Sequence, residues 1–209
     1  MEDLLDLYAQ PHNPDRPLVC FDEHPIALRS DKQPPQEATL TRPERYDYEF
    51  VRCGKRQLLI AFDPHAGWRH VWVREQRRKQ EFAEILRELA DVHYPKASKI
   101  VLVMDNLNIH KLHAFYEHFE PNEARRLAAR FEVHFTPKHA SWLNMVEIEI
   151  GVMVRQCLHD RYDSDDELIN GVEAWENGRN KQRATINWTF TTDKAREKLK
   201  RLYPSIQVQ

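Results

Sequence analysis

Short apolar runs, each closed by polar residues, alternate along this chain with stretches in which apolar residues recur every three or four positions. Residues 18–21 are apolar and rich in β-forming side chains, and Asp22 and Glu23 follow them directly. This pattern predicts a buried strand that ends at two carboxylates. Residues 100–104 form a second apolar run, which follows an amphipathic stretch and precedes Asp105. That order favours a parallel central strand with Asp105 at its carboxyl end.

Three further runs of β-forming residues, 46–52, 56–63 and 68–74, lie between these two strands. Residues 53–55 separate the first two runs and residues 64–67 separate the last two. We therefore predict an antiparallel meander with turns at both places, and we interpret Asp63 as the residue that begins the second turn.

Helices account for most of the remaining pattern. Five apolar residues spaced as one helical face predict a helix from residue 77 to just before Pro95; they are Phe82, Ile85, Leu86, Leu89 and Val92. Helices are also predicted at 110–119, 121–131, 142–158, 163–180 and 191–203, with a short strand at 132–137. Pro121 suits a first helical position and Ser164 suits a helix cap. The predicted fold class is mixed α/β.

Composition narrows the class of protein to which the chain can belong. The chain has 209 residues, of which 41% are hydrophobic and 31% charged, so one domain with a substantial core is expected. No apolar run is long enough for a membrane helix, and the three cysteines form no closely spaced pair. We expect a cytoplasmic protein without membrane contact or disulfides. The net charge of −2 means that any contact with DNA must come from local basic runs, which are otherwise solvated helix faces.

Carboxylates supply the candidate chemistry. Acids at the carboxyl ends of neighbouring strands face the crevice in which ligands of open α/β sheets bind, which makes Asp22 and Asp105 candidates. In the helix predicted at 142–158, Glu147 lies at the edge of the apolar stripe, whereas Glu149 is expected to point outward. Two or three convergent carboxylates hold Mg²⁺, and paired ions support phosphoryl transfer. A turn residue at a strand end and a solvated glutamate are the alternative interpretations.

Three segments, residues 21–23, 102–110 and 135–149, resemble in order the three motifs of DDE transposases, specifically those of the bacterial insertion-sequence branch of the mariner superfamily. The resemblance implies a ribonuclease-H-like fold, in which a mixed central sheet is flanked by helices. It implies that Asp22, Asp105 and Glu147 are the catalytic acids and the ligands of Mg²⁺ or Mn²⁺, with two ions bound. It also implies cleavage of DNA at transposon ends, transfer of the 3′-OH to target DNA, and a homodimer in the synaptic complex.

The same resemblance divides the chain into residues 1–16, expected to be the remnant of a linker, and residues 17–209, expected to be the catalytic domain with C-terminal helices. Members usually carry a helix-turn-helix region before the first acid, and about twenty residues precede Asp22 here. The chain could therefore be the second half of a split reading frame beside a separately encoded DNA-binding subunit, the product of a truncated gene, or a catalytic fragment. Two alternatives remain: a nuclease of the same fold that cuts without joining, and a non-catalytic or truncated fragment that binds or inhibits the full-length enzyme.

Five other residues are candidates for contact with nucleic acid: Asn106, His110, Lys138, His139 and Asn144. Asn106 and His110 could instead orient the carboxylate of Asp105 or belong to a turn, and Lys138 and His139 could be ordinary loop residues. Trp142 suits a packing anchor or a base-stacking residue. The histidines lack the sequence spacing of zinc enzymes, so no zinc site is predicted.

Overall fold

A computed structural model of the chain describes residues 1–33, 36, 38–43, 45, 48–107, 110–159 and 161–203. The strands in this part of the chain are β1 (Leu18–Asp31), β2 (Phe50–Asp63), β3 (Trp68–Arg74), β4 (Ile100–Met104) and β5 (Phe131–Phe135). The α-helices are α1 (Glu2–Tyr8), α2 (Lys79–Glu88), α3 (Ala114–His118), α4 (Pro121–Ala128), α5 (Val146–Gln156), α6 (Asp165–Lys181) and α7 (Thr192–Lys198). Residues 204–209 of the predicted catalytic domain lie outside the described residues.

The strands form one mixed sheet in the order β3-β2-β1-β4-β5. β1, β4 and β5 run parallel to one another. β2 pairs antiparallel with β1, and β3 pairs antiparallel with β2. All five residues of β4 are buried, as a central parallel strand covered on both faces requires. The predicted mixed α/β class and the central position of β4 are confirmed.

Helices cover both faces of the sheet because successive strand residues point to opposite sides. In β1, Leu18 and Cys20 belong to the core that α1, α5, α6 and α7 complete. Val19 and Phe21 belong to the core on the other face, which α2, α3 and α4 complete. Asp22 continues the alternation of Leu18 and Cys20 and therefore lies on the face of the sheet that α5 covers.

The sequence pattern predicted that β1 ends at Asp22, but in the structure the strand is longer. It continues through Pro25 to Asp31 and stays paired with β2, while its pairing with β4 stops at Cys20. Beyond Cys20 one edge of β1 has no partner strand among the described residues, and a proline is tolerated at such an edge. The continuation depends on β2, which begins at Phe50, well beyond Asp31 at the end of β1.

The turn predicted at residues 53–55 is also wrong. β2 runs straight through it, and the register against β1 shifts between Leu28 and Arg29, which face Gly54 and Arg52. Cys53 is the extra residue of this bulge, and Gly54 has φ +136°, a conformation that favours glycine. The turn at 64–67 is confirmed, because Asp63 Oδ1 accepts hydrogen bonds from the backbone N–H groups of residues 65 and 66.

The helix predicted from residue 77 changes character before it ends. α2 stops at Glu88, and Leu89–His93 form a π-helical turn. The wider turn rotates the following side chains, and Val92, predicted on the apolar stripe, is 65% exposed. The helix does end before Pro95, as predicted.

The start of the chain, expected to be the remnant of a linker, packs against the core. Residues 2–8 form α1, and Leu4, Leu5 and Leu7 are buried in the core. The hydroxyl of Tyr8 donates a hydrogen bond of 2.6 Å to the carbonyl of Leu143, just before α5. The physical reason is amphipathicity, since α1 presents an apolar face that the sheet and α7 bury.

α6 lies along the outer edge of β3. Glu176 Oε2 accepts a hydrogen bond from the N–H of Val71, and the Asn180 side chain bonds both the N–H and the carbonyl of Arg69. Side chains of α6 thus satisfy the edge groups that a sixth strand would otherwise use. None of the described helices has the length and apolar composition needed to cross a bilayer.

Candidate functional site

The two predicted aspartates lie side by side where β1 and β4 part. The last parallel pair of these strands is Cys20 and Val103. Asp22 comes two residues after Cys20, and Asp105 comes two residues after Val103. Neighbouring strands are about 4.8 Å apart, so the two carboxylates enter the same crevice from adjacent backbones.

Local hydrogen bonds fix one oxygen of each aspartate. Asp22 Oδ1 accepts from the N–H of Glu23 at 2.8 Å, and Asp105 Oδ1 accepts from the N–H of Leu107 at 3.2 Å. In both side chains Oδ2 makes no hydrogen bond to any described residue. Each aspartate therefore offers one carboxylate oxygen to a ligand in the crevice.

Glu147 reaches the same crevice from the first turn of α5. Its side chain is exposed and has no hydrogen bond or ion pair with the described part of the chain. The helix start is held to β1, because Asn144 Nδ2 donates a 2.9 Å hydrogen bond to the carbonyl of Phe21, one residue before Asp22. Asn144 is fully buried, so its side chain is not open to nucleic acid as expected and instead holds the start of α5 against β1.

The charge of the crevice shows in the pKa of Asp22, which is raised to about 7. Burial is the largest cause, and repulsion from Glu147, Glu23 and Asp105 adds to it, while the N–H of Glu23 opposes it. The three predicted acids thus share one electrostatic site. Among the described residues, however, their oxygens do not gather within 4.8 Å of one another, as ligands of a single small ion would.

His110 connects two of these acids. Its Nδ1 lies 2.6 Å from Asp105 Oδ1 and its Nε2 lies 2.9 Å from Glu23 Oε1. Burial by itself lowers the pKa of His110, but the hydrogen bonds and charges of Glu23 and Asp105 outweigh it, and the pKa lies above its ordinary value. Both ring nitrogens face acceptors, which suits the doubly protonated imidazolium.

This position corrects the expectation that His110 contacts nucleic acid. The side chain is fully buried, so it cannot touch a phosphate without leaving its hydrogen bonds. The alternative interpretation, that His110 orients the carboxylate of Asp105, agrees with the geometry. Glu23, the second partner of His110, was not predicted from the sequence, although it stands beside Asp22 in the first motif.

Glu149 was expected to point outward, and that expectation is wrong. Its side chain is 1% exposed and lies 2.9 Å from Nε of the fully buried Arg69. Arg179 donates two hydrogen bonds to the same carboxylate, of 3.0 and 2.8 Å. Glu149 is therefore a buried ion-pair residue, and Glu147 is the acid of this helix that is left for the crevice.

A groove of about 380 Å³ opens beside Asp105. It is lined by the loop after β4 and the loop after β5, and its lining includes Asn106, Lys138 and His139. All three side chains are exposed, so they can meet an extended ligand. His139 has φ +62°, an unusual conformation for a residue with a side chain. Trp142 is 47% exposed at the end of the same loop and meets Phe190 edge-on.

The donor set fits divalent ions that prefer oxygen. Asp22, Asp105 and Glu147 offer carboxylate oxygens and no soft ligand, and Mg²⁺ and Mn²⁺ suit such sites. Their mutual repulsion is what a cation would relieve. Among the described residues, the three acids are spread wider than the ligand shell of one small ion.

Comparison with known proteins gives one family and one fold. The family model described as DDE superfamily endonuclease matches residues 17–169. The crystal structure of the Mos1 mariner paired-end complex with Mn superposes with a TM-score of 0.57 at 16% identity, covering 87% of this chain and 54% of that chain. The Mos1 strand transfer complex gives 0.56 at 16% identity, covering 87% and 56%. The ribonuclease-H-like fold expected from the motifs is confirmed.

The present chain therefore spans about half the length of the Mos1 chains that it matches. The Mos1 complex with the left transposon end matches in the same way, with a TM-score of 0.56 at 16% identity over 84% of this chain and 52% of that one. No curated protein matches the chain.

Proposed function

Because the chain belongs to the DDE superfamily endonucleases, we propose that it is the catalytic domain of a DNA transposase that cleaves strands and transfers the 3′-OH. The observation that carries this proposal is the crevice itself, in which Asp22, Asp105 and Glu147 enter from two strands and a helix. The raised pKa of Asp22 records burial and then the repulsion of the acids around it.

Each residue has a distinct task in this proposal. Asp22 and Asp105 present their free oxygens, and Glu147 supplies a third carboxylate, so that these three hold two Mg²⁺ or Mn²⁺ ions. When bound, the ions activate the attacking oxygen and stabilise the leaving one. His110 fixes Asp105 through Oδ1 and keeps Oδ2 turned to the crevice, and Asn144 fixes the start of α5 against β1.

DNA would lie along the groove beside Asp105. The exposed side chains of Asn106, Lys138 and His139 face it, and contacts of this kind position a phosphate backbone without reading sequence. The matched Mos1 structures are a paired-end complex and a strand transfer complex. We extend this to the present chain as two transposon ends held by a homodimer, within the insertion-sequence branch, with end recognition supplied by a separate helix-turn-helix subunit.

The test uses oligonucleotide duplexes that carry the inverted repeats flanking the gene, together with a supercoiled target and Mn²⁺ or Mg²⁺. Wild type should release a 3′-OH end and join it to the target, and EDTA should abolish both steps. Asp22→Asn, Asp105→Asn and Glu147→Gln should each lose cleavage by at least about a hundredfold, since removing a charged ligand loses metal positioning.

Glu75→Gln is the matched control, because this acid is 77% exposed and lies 3.9 Å from its partner Arg56. It should keep wild-type rates. Cleavage without joining would replace the transposase assignment with a nuclease, and binding without cleavage in any metal would favour the non-catalytic fragment. Full activity in Glu147→Gln would remove Glu147 from the site.

A further inference from the structure

A second cluster of metal-binding side chains lies on the other face of the sheet from the three acids. It consists of His70 on β3, Glu88 at the end of α2 and His93 at the end of the π-turn. One ligand atom of each lies within 4.8 Å of the other two, and among the described residues no other trio of histidine, cysteine or acidic side chains meets this condition. Glu88 Oε1 is 3.9 Å from His70 Nε2 and 3.6 Å from His93 Nε2.

The π-turn is what brings Glu88 and His93 together. Residues five apart on an α-helix point about 140° away from each other, because each residue turns the helix by about 100°. The N–H of Tyr94 instead bonds the carbonyl of Leu89 at 2.9 Å, a five-residue step that widens the turn. Such π-turns are frequent at functional sites, and this one brings the side chains of Glu88 and His93 together.

His70 is held ready to accept an ion. Its Nδ1 lies 2.8 Å from Glu176 Oε1, and the other oxygen of Glu176 accepts the N–H of Val71 at 2.9 Å. A carboxylate on one ring nitrogen fixes the tautomer and leaves the lone pair of the other nitrogen for a metal, as in carboxylate–histidine–zinc arrangements. In His70 the nitrogen left over is Nε2, which faces Glu88.

His93 supplies an independent observation. Its Nε2 is buried and has no hydrogen-bond partner, although buried polar atoms are nearly always satisfied. Its closest carboxylate oxygen, on Glu88, is 3.6 Å away, beyond hydrogen-bond range. A cation between them would satisfy both atoms at once.

We propose that His70, Glu88 and His93 form a site for a zinc-class divalent ion, in which Glu176 supports His70 from outside the ligand shell. Tetrahedral Zn²⁺ with bonds of about 2.0–2.2 Å separates its ligand atoms by roughly 3.3–3.5 Å, close to the 3.6 and 3.9 Å found here. Two imidazoles and one carboxylate suit Zn²⁺, whereas Mg²⁺ prefers oxygen ligands alone.

The ion would tie the edge strand to the helix that packs on it. His70 pairs with Ala61, which in turn pairs with Phe21, so the site is two strands away from β1 and on the α2 face. Trp68 and Trp72 pack against His70, at 6.4 and 4.5 Å between ring centroids, and the His70 side chain is 27% exposed. The site is therefore a structural metal site that joins β3 to α2, separate from the carboxylate crevice.

The experiment titrates the whole metal-free chain with Zn²⁺, and separately with Co²⁺ followed by visible absorption, in millimolar Mg²⁺ that occupies the carboxylate crevice. We expect one equivalent to bind and the melting temperature to rise with it. Binding should weaken at least tenfold in His93→Gln and in Glu88→Gln, and by about 10- to 100-fold in Glu176→Gln, the range typical of outer-shell partners.

His113→Gln is the matched control, because His113 is 49% exposed and also stands near a glutamate, Glu117. It should bind as wild type does, and so should Asp105→Asn, whose lesion is in the other site. Circular dichroism of the metal-free variants establishes that each is folded, and Glu88, 38% exposed, tolerates replacement best. Equal Zn²⁺ affinity in wild type, Glu88→Gln and His93→Gln would overturn the site, whatever the DNA assays give.

Discussion

Replacing Glu149 with alanine should destabilise the protein strongly, although this residue is only two positions from the acid proposed to act in catalysis. The carboxylate is 1% exposed and is shared by two arginines, one of them, Arg69, completely buried. The alanine substitution leaves the guanidinium of Arg69 without the carboxylate of Glu149 in a place that water does not reach.

The magnitude follows from that burial. Removing one partner of a buried ion pair costs about 3–5 kcal/mol, because the remaining charge stays desolvated. For a chain of this size each 1 kcal/mol shifts the melting temperature by about 2–4 °C, so the midpoint should fall by roughly 6–20 °C. Arg69 also donates hydrogen bonds to the carbonyls of Gly67 and Ala184, which moderates the loss toward the lower end.

The assay is equilibrium unfolding in denaturant, together with thermal melts, all in EDTA. Glu149→Gln keeps the shape and one acceptor oxygen, so its loss should be smaller than that of Glu149→Ala. Glu147→Ala is the comparison that matters, because Glu147 is exposed and has no partner among the described residues. Its free energy of unfolding should stay within about 1 kcal/mol of wild type.

The opposite pattern would refute the reasoning. If Glu149→Ala loses less than about 1 kcal/mol and Glu147→Ala loses several, the two acids have exchanged places relative to the structure. The choice of Glu147 for the crevice would then fall with it.

Three other outcomes are expected. Mg²⁺ at about ten times its Kd should add roughly 1.4 kcal/mol to the stability of wild type, and thermal melts of Asp22→Asn should show a smaller metal response and a higher midpoint in EDTA. In EDTA the free energy of unfolding of wild type should fall as pH rises from about 4 to about 7. The reason is that native Asp22, with its pKa raised to about 7, keeps a proton that the unfolded chain has already lost. Above pH 7 this contribution is constant, and a denaturation series in which Asp22→Asn has the same slope as wild type would contradict the prediction. DNA binding should weaken steeply with salt and show little sequence preference, since the net charge is −2 and affinity must come from phosphate contacts; tight, selective retention of one terminal repeat in a gel shift would disagree.

The sequence predicted well what short segments determine. β4 and the first residues of β1 are continuous apolar runs, and the positions of Asp22 and Asp105 follow from where those runs stop. Ser164 caps α6 by accepting the N–H of Glu167, and Pro121 opens α4, because capping depends on a few neighbouring residues. The hydrophobic pattern therefore made Asp22 and Asp105 candidates for one crevice, with a turn residue at a strand end as the alternative.

Distant partners explain what the sequence could not show. The orientation of Glu149 was judged from an apolar stripe that began at Leu143, but Leu143 lies in a 3₁₀ turn and α5 starts only at Val146. The apolar residues that α5 buries are Val146, Ile150 and Met153. At about 100° per residue, their centre lies roughly 70° from Glu149 and roughly 90° from Glu147, so Glu149 is the acid on the buried face. Its arginine partners lie on β3 and α6, one of them signalled by an arginine at an inward position of an alternating strand.

The closed edge of β3 limits how copies of this protein can join. An open edge strand attracts strands from other molecules, and continuous sheets across two chains arise in this way. Here Glu176 and Asn180 already occupy the N–H of Val71 and both backbone groups of Arg69. A dimer that leaves α6 in place cannot extend the sheet on this side, and edge-to-edge aggregation through β3 is prevented.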